Sequence, residues 1–276
     1  MEMQTIHIAS LLIAGIGVGL ALGILGLGGA FIMTPVQFWI LTSIGIDPTI
    51  AIRITFGTNL AVILPTAISG AIGHNYKKAV LWKAGIVLGL SGFAGAFAGG
   101  SIATYLPGNF LKIGFGLVVL ASAIRMLTAK PPKVENEPVD NVIICILWGL
   151  LSGILCGIVG IGGGVVIVPA MVLAMKCKMH QAVATSTICM ALASTGGILA
   201  YIINGLNVSG LPAYSTGYVN FLQWILLAGT SIPTALAGAR IAHKLPAKEL
   251  TFVFIVIMVY IGLKMIGVFN WLHLPI

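Results

Sequence analysis

Two glycine clusters and two short runs of hydroxyl and amide residues are the parts of this sequence best suited to chemistry. Gly28 and Gly29 close the run Gly26-Leu27-Gly28-Gly29, and Gly162, Gly163 and Gly164 close Gly160-Ile161-Gly162-Gly163-Gly164. Glycine loosens a helix and leaves backbone amides unpaired, and the positive end of a helix that begins there suits an oxyanion. Close helix packing in lipid is the competing use, and it accounts for many of the 36 glycines. Thr58 and Asn59 follow the first cluster; Thr185, Ser186 and Thr187 follow the second at matching places. These side chains can donate to anion oxygens without the desolvation cost of a buried Lys or Arg. Hydrogen bonding between helices is their alternative use.

Other candidates read more simply. Arg53 could attract anions, but snorkelling to the interface or pairing with Asp47 is the simpler reading, and Arg240 and His243 close a basic helix end as topology anchors. Lys264, between Leu263 and Met265, admits either an anion-attracting or a structural role. Gly89-Leu90-Ser91-Gly92 has the Gly-x-Ser-Gly pattern of intramembrane serine proteases, which need a histidine base within reach. His7, His74, His180, His243 and His273 all fall near segment ends, and Ser91 aligns with Thr230 elsewhere in the chain, so packing is the better reading. The acids Glu2, Asp47, Glu135, Glu137, Asp140 and Glu249 lie outside apolar runs or at their margins. Proton and sodium pumps place carboxylates within the membrane, so this pattern favours an anion path over a cation path. Cys145, Cys156, Cys177 and Cys189 form no Cys-x-x-Cys pair and read as small buried hydrophobes. No catalytic residue, cofactor or metal site is expected.

The elements that must position these residues are set by composition. Of 276 residues 59% are hydrophobic and 7% charged, and the mean hydropathy is +1.11. Soluble domains carry about a quarter of their residues as charges to cover their surface. A soluble enzyme, a nucleic-acid binder and a disordered chain are therefore excluded, and the lipid bilayer is the expected surroundings. The net charge of +8 sits in short clusters between apolar runs, such as Lys77 with Lys78, which is how membrane proteins fix orientation. The first apolar run lacks a basic leader and continues past residue 40, so no cleavable signal peptide is expected.

Apolar stretches cover about 8–41, 50–73, 79–104, 108–128, 142–175, 181–205, 218–242 and 250–272. The aqueous stretch Thr128 to Asn141 divides residues 1–127 from 142–276, and the two parts repeat each other. Gly19, Gly23, Gly26, Gly28, Gly29 and Pro35 recur as Gly153, Gly157, Gly160, Gly162, Gly163 and Pro169, each 134 residues on. Ala30 is a departure, since Gly164 stands in the second copy. Thr58-Asn59 with Gly70 recurs as Thr185-Ser186 with Gly197, and Gly99 with Leu106-Pro107 recurs as Gly238 with Leu245-Pro246. Three blocks in one order indicate internal duplication.

The first stretch of each half is 34 residues long, between the roughly 20 of one span and the 40 of two. Each also holds its glycine cluster mid-way, so each is read as a broken or re-entrant hairpin followed by three transmembrane helices. Eight single crossings would divide the 14 Lys and Arg seven against seven. Returning hairpins place 11 on one face and leave only Arg53, Lys112 and Lys264 opposite, as the positive-inside rule demands. An all-α polytopic membrane protein of two inverted repeats, with linker 128–141 cytoplasmic, is the expected fold.

The paired motifs Gly26-Leu27-Gly28-Gly29 with Pro35 and Gly160-Ile161-Gly162-Gly163-Gly164 with Pro169 resemble those of the TauE/SafE family. Gly57-Thr58-Asn59-Leu60, Ala184-Thr185-Ser186-Thr187 and the two small-residue helices ending in Leu-Pro extend the resemblance over essentially the whole chain. That family comprises sulfite exporters and is also described as the toluene sulfonate uptake permease group. The resemblance implies a multi-pass secondary transporter of a bacterial inner membrane, moving small sulfur-containing anions such as sulfite, sulfoacetate or other organosulfonates. Alternating access between the repeats is the expected mechanism, with an anion channel and, more distantly, an intramembrane serine protease as alternatives. No nucleic-acid partner is expected, and a homodimer is left open.

Overall fold

The computed structural model describes residues 4–26, 28–76, 79–128, 141–241 and 247–268, without the side chains of 247–251. Among these, the first half forms α1 (Thr5–Leu25), α2 (Ala30–Ser43), α3 (Pro48–Asn75), α4 (Trp82–Tyr105) and α5 (Gly108–Thr128). The second half forms α6 (Val142–Val159), α7 (Gly164–Leu173), α8 (Met179–Gly205), α9 (Phe221–Ile241) and α10 (Ala247–Ile266). A short antiparallel ladder, β1 (Ser215–Thr216) with β2 (Val219–Asn220), sits in the α8–α9 connection. Seven described helices are long and apolar enough to cross a bilayer: α1, α3, α4, α5, α6, α8 and α9. Thr128 ends α5 and Asn141 caps α6, accepting from the amides of Ile143 and Ile144. The rest of the expected linker, Lys77-Lys78 and Leu245-Pro246 lie outside the described residues.

Each 34-residue apolar stretch is indeed two helices separated at its glycines. Gly26 and Gly160 end α1 and α6 in the left-handed region (φ +68° and +65°), their amides bonding back to Leu22 and Cys156. Gly29 and Gly163 begin α2 and α7 in the same region (φ +66° and +78°). At 1.5 Å per residue, the 14 residues of α2 and 10 of α7 reach about 21 and 15 Å, short of the ~30 Å hydrocarbon core. In the first half the return is visible at the side chains. The His7 ring of α1 meets Trp39 of α2 edge-on at 5.3 Å, and the Ser43 hydroxyl lies 3.4 Å from His7 Nε2. The end of α2 thus lies beside the start of α1.

Packing exchanges partners between halves. α1 lies along α9 and α4 along α6; α3 crosses α8, and α5 pairs with α10. Glycines four apart make the first two seams. A Cβ on Gly15, Gly19 or Gly23 would strike backbone atoms of α9, and one on Gly149, Gly153 or Gly157 would strike those of α4. Ser91 and Thr230, the aligned hydroxyl residues, lie against Gly149 and Gly15 respectively. In the spans of α3 and α8, 78% and 67% of residues are enclosed, against 33–44% elsewhere, so these two helices form the core. They run in opposite directions: a Cβ on Gly70 would meet Thr187, and one on Gly197 would meet Leu60. Outward residues such as Ile13, Leu90 and Ile143 are exposed apolar side chains, which suits lipid. The four cysteines are buried.

Candidate functional site

The two glycine breaks meet. A Cβ on Gly28 would stand 2.6 Å from the Ile161 carbonyl oxygen, and one on Gly164 would collide with the Gly26 carbonyl and the Met190 sulfur. Only glycine allows backbone from opposite halves to approach so closely at these places. The surroundings correspond across the halves. Gly26 lies against Val183 and Ser186 of α8 as Gly160 lies against Phe56 of α3; Gly28 lies against Met190 as Gly162 lies against Ile63. Ile63 is about 22 Å along a helix about 42 Å long, so the meeting point is near the middle of the span.

At each break a new helix begins. Ile32 and Met33 bond to the Gly29 carbonyl, and Val166 and Ile167 to that of Gly163. The preceding amides, of Ala30 and Phe31 and of Gly164 and Val165, have no carbonyl of their own helix to bond. Two positive helix ends therefore lie in the centre of the molecule, and the sequence places no carboxylate in either break. Gly29 and Gly163 turn away from the meeting point. A Cβ on Gly29 would strike Val18 of α1, and one on Gly163 would face Cys156 and the Ser152 carbonyl of α6.

The polar clusters divide. Phe56, Asn59 and Ile63 share one stripe of α3, as Val183, Ser186 and Met190 share one of α8, by helical spacing. Asn59 and Ser186 therefore lie on the faces turned to the breaks. The Ser186 hydroxyl donates to the Val183 carbonyl at 2.8 Å and lies 3.5 Å from that of Gly26. The Thr58 hydroxyl accepts the Asn220 amide at 3.0 Å, and that of Thr185 accepts the Leu81 amide at 3.0 Å. Each thus holds the residue just before a helix, α9 in one case and α4 in the other. Thr187 donates to the Ala184 carbonyl of its own helix at 2.7 Å. All five side chains are fully buried.

Sequence reasoning missed two members. Asn59 Nδ2 donates to Thr34 Oγ1 at 2.8 Å, and Gln37 Nε2 donates to Asn59 Oδ1 at 2.8 Å, so α2 and α3 share a buried polar chain. Thr34 and Gln37 carried no signal of repetition, because Val168 and Met171 stand at the corresponding places. Arg53 does not pair with Asp47. Its guanidinium donates to the Leu106 carbonyl at 3.0 Å and to the Tyr218 hydroxyl at 3.2 Å, while Asp47 caps α3 by accepting from Thr49 and Ile50. The Ser91 hydroxyl donates to the Val87 carbonyl at 2.8 Å. A groove of about 520 Å³ between α3, α4 and α8, lined by Leu64, Ile68, Ile72, Trp82, Ile86 and Leu192 among others, includes none of the expected site residues. Among the described residues no three His, Cys, Asp or Glu side chains converge as metal ligands would.

Comparison with known proteins agrees with this architecture. The family described as sulfite exporter TauE/SafE matches residues 11–265. A probable membrane transporter protein of Methanocaldococcus jannaschii is 30% identical over 93% of this chain and 94% of its own. A probable membrane transporter protein of Haemophilus influenzae is 27% identical over 92% and 96%, and the probable membrane transporter protein YunE of Bacillus subtilis is 25% identical over 94% and 98%. No solved structure matches. With its match running from α1 into α10, through both glycine breaks, this chain belongs to the TauE/SafE family of membrane transporters.

Proposed function

We propose that the protein carries small sulfur-containing anions, such as sulfite, sulfoacetate or other organosulfonates, across the bacterial plasma membrane by alternating access between two inverted repeats. The observation that carries this reading is the central meeting of two helix-starting glycine breaks with no acidic residue in either. Backbone amides at two positive helix ends, with Asn59 and Ser186 beside them, offer hydrogen bonds to oxyanion oxygens and no opposing charge. The opposed directions of α3 and α8 and the exchange of α1–α9 with α4–α6 support the inverted arrangement. Contact of the two breaks closes the path at its centre, which favours a carrier that must rearrange over an open channel. Thr58 and Thr185 then belong to the moving frame, as ties between the core helices and the starts of α9 and α4.

Uptake of radiolabelled sulfur anions into proteoliposomes, under imposed pH or sodium gradients, tests the proposal. Saturable uptake of at least one sulfite or sulfonate, competed by its analogues and not by chloride, is expected. Flux that rises linearly with concentration and does not discriminate among anions would favour a channel. Absence of any anion flux from a folded, reconstituted protein would overturn the anion reading.

A further inference from the structure

We propose that the Gln37 carboxamide is a binding group for the transported oxyanion, presented by a Thr34–Asn59 chain found in the first half only. The proposal deepens the transport reading above and rests on it. Thr34, Gln37 and Asn59 are each fully buried, and hydrogen bonds of 2.8 Å link them in series across α2 and α3. Asn59 stands on the stripe of α3 whose neighbours Phe56 and Ile63 touch the second glycine break. The series ends unfinished: Gln37 Oε1 is buried and meets no hydrogen-bond partner. A buried polar atom without a partner is unfavourable, and a ligand that supplies the missing partner removes that cost.

The chemistry of amides fits an anion. The oxygen and nitrogen of a carboxamide exchange places on a half-turn, and the heavy-atom positions are unaltered. Turning both amides preserves the series: the Thr34 hydroxyl donates to Asn59, Asn59 donates to Gln37, and Gln37 presents its NH2 where the oxygen stood. In that arrangement the end of the chain is a neutral donor of hydrogen bonds, suited to sulfite or sulfonate oxygens. The second half offers no counterpart, since Val168, Met171 and Ser186 occupy the corresponding positions. The anion would thus meet a side-chain amide from one half and chiefly backbone from the other.

The test is Gln37→Met in the full-length protein in detergent, methionine being the residue at the matching position of the second half. Affinities for sulfite and sulfoacetate are read by isothermal titration and thermal stability by the unfolding midpoint. If Gln37 binds the anion, affinity falls about tenfold or more, while the midpoint falls modestly because Asn59 loses its bond to Gln37. Affinity unchanged from the wild type would overturn the assignment. A lowered midpoint with unchanged affinity would overturn it too, making Gln37 a packing residue. Should Gln37→Met fail to fold, Gln37→Glu keeps the volume and replaces the donor by an acceptor. It is expected to abolish binding above the carboxyl's pKa, and retained affinity there would equally sink the idea. If the wild type itself binds neither anion, the transport reading fails first, which separates the two failures.

Discussion

Asp47 is tied to the start of a helix. Its carboxylate accepts from the Thr49 and Ile50 amides at 2.8 and 3.2 Å and begins α3 ahead of Pro48. Asn caps as well as Asp, whereas Ala leaves those amides unsatisfied at a cost of about 1 kcal/mol. Asp47→Asn is therefore expected to keep both the unfolding midpoint and the transport rate, and Asp47→Ala to lower the midpoint alone. Loss of transport in a folded Asp47→Asn protein would show that this carboxylate carries coupling. Residue roles were the least legible part of the sequence. The duplicated Thr58 and Thr185 announced that they matter without saying how, because a hydroxyl that caps a neighbouring loop looks the same as one that faces an anion. Thr34 and Gln37 were silent, being single polar residues in an apolar helix with no repeat behind them. The partners of Arg53, Leu106 and Tyr218, could not be read from the sequence, since they lie 53 and 165 residues away.

At the scale of elements the sequence was far more informative. Gly15, Gly19 and Gly23, like Gly95 and Gly99, marked seams by their spacing of four, and both sets do lie where helix backbones touch. The glycine clusters likewise marked the ends of α1 and α6. What spacing alone does not reveal is the partner, because any helix with a small-residue stripe would serve. The exchange of α1 onto α9 and α6 onto α4 is a property of the fold. Nor did the α8–α9 connection declare its β1–β2 ladder, two residues per strand being too short for any periodicity. The seams can be tested through their glycines. A Cβ on Gly153 would strike the backbone of Gly92, which cannot withdraw without moving α4, whereas one on Gly114 meets nothing within 4 Å. Gly153→Ala should destabilise by about 1–3 kcal/mol through overpacking. Gly114→Ala should be neutral or stabilise by up to about 1 kcal/mol, as alanine favours helix. Thermal midpoints in one detergent decide it, and equal midpoints would mean that the α4–α6 seam is looser than its contacts indicate.

For the whole molecule, sidedness is the property on which an inverted arrangement depends. Contacts gather the helix ends into two groups. Leu81, before α4, bonds to Thr185 near the start of α8, and Arg240, late in α9, lies 5.9 Å over the Tyr76 ring at the end of α3. At the opposite end, Arg53 near the start of α3 reaches Leu106 at the end of α4 and Tyr218 before α9. Arg53 and Lys112 are two of the three cations assigned to the sparse face, and Lys112 lies 5.3 Å over the Phe38 ring of α2, the returning helix. By the positive-inside rule the Arg240 end is expected to face the cytoplasm. Single cysteines at Lys130, Lys178 and Tyr214 test this in intact cells with a membrane-impermeant maleimide. Native background is expected to be low, because all four cysteines are buried and burial pushes the Cys177 thiol, in the α7–α8 connection, up to about 11. Below that value the thiol keeps its proton, so at neutral pH little thiolate is present to react. Tyr214→Cys, at a position 73% exposed, should label from outside. Lys130→Cys and Lys178→Cys should label only after the membrane is opened. If Lys130→Cys and Lys178→Cys label from opposite sides, the α6–α7 segment crosses once, the halves are parallel, and transport must be explained without an inverted pair.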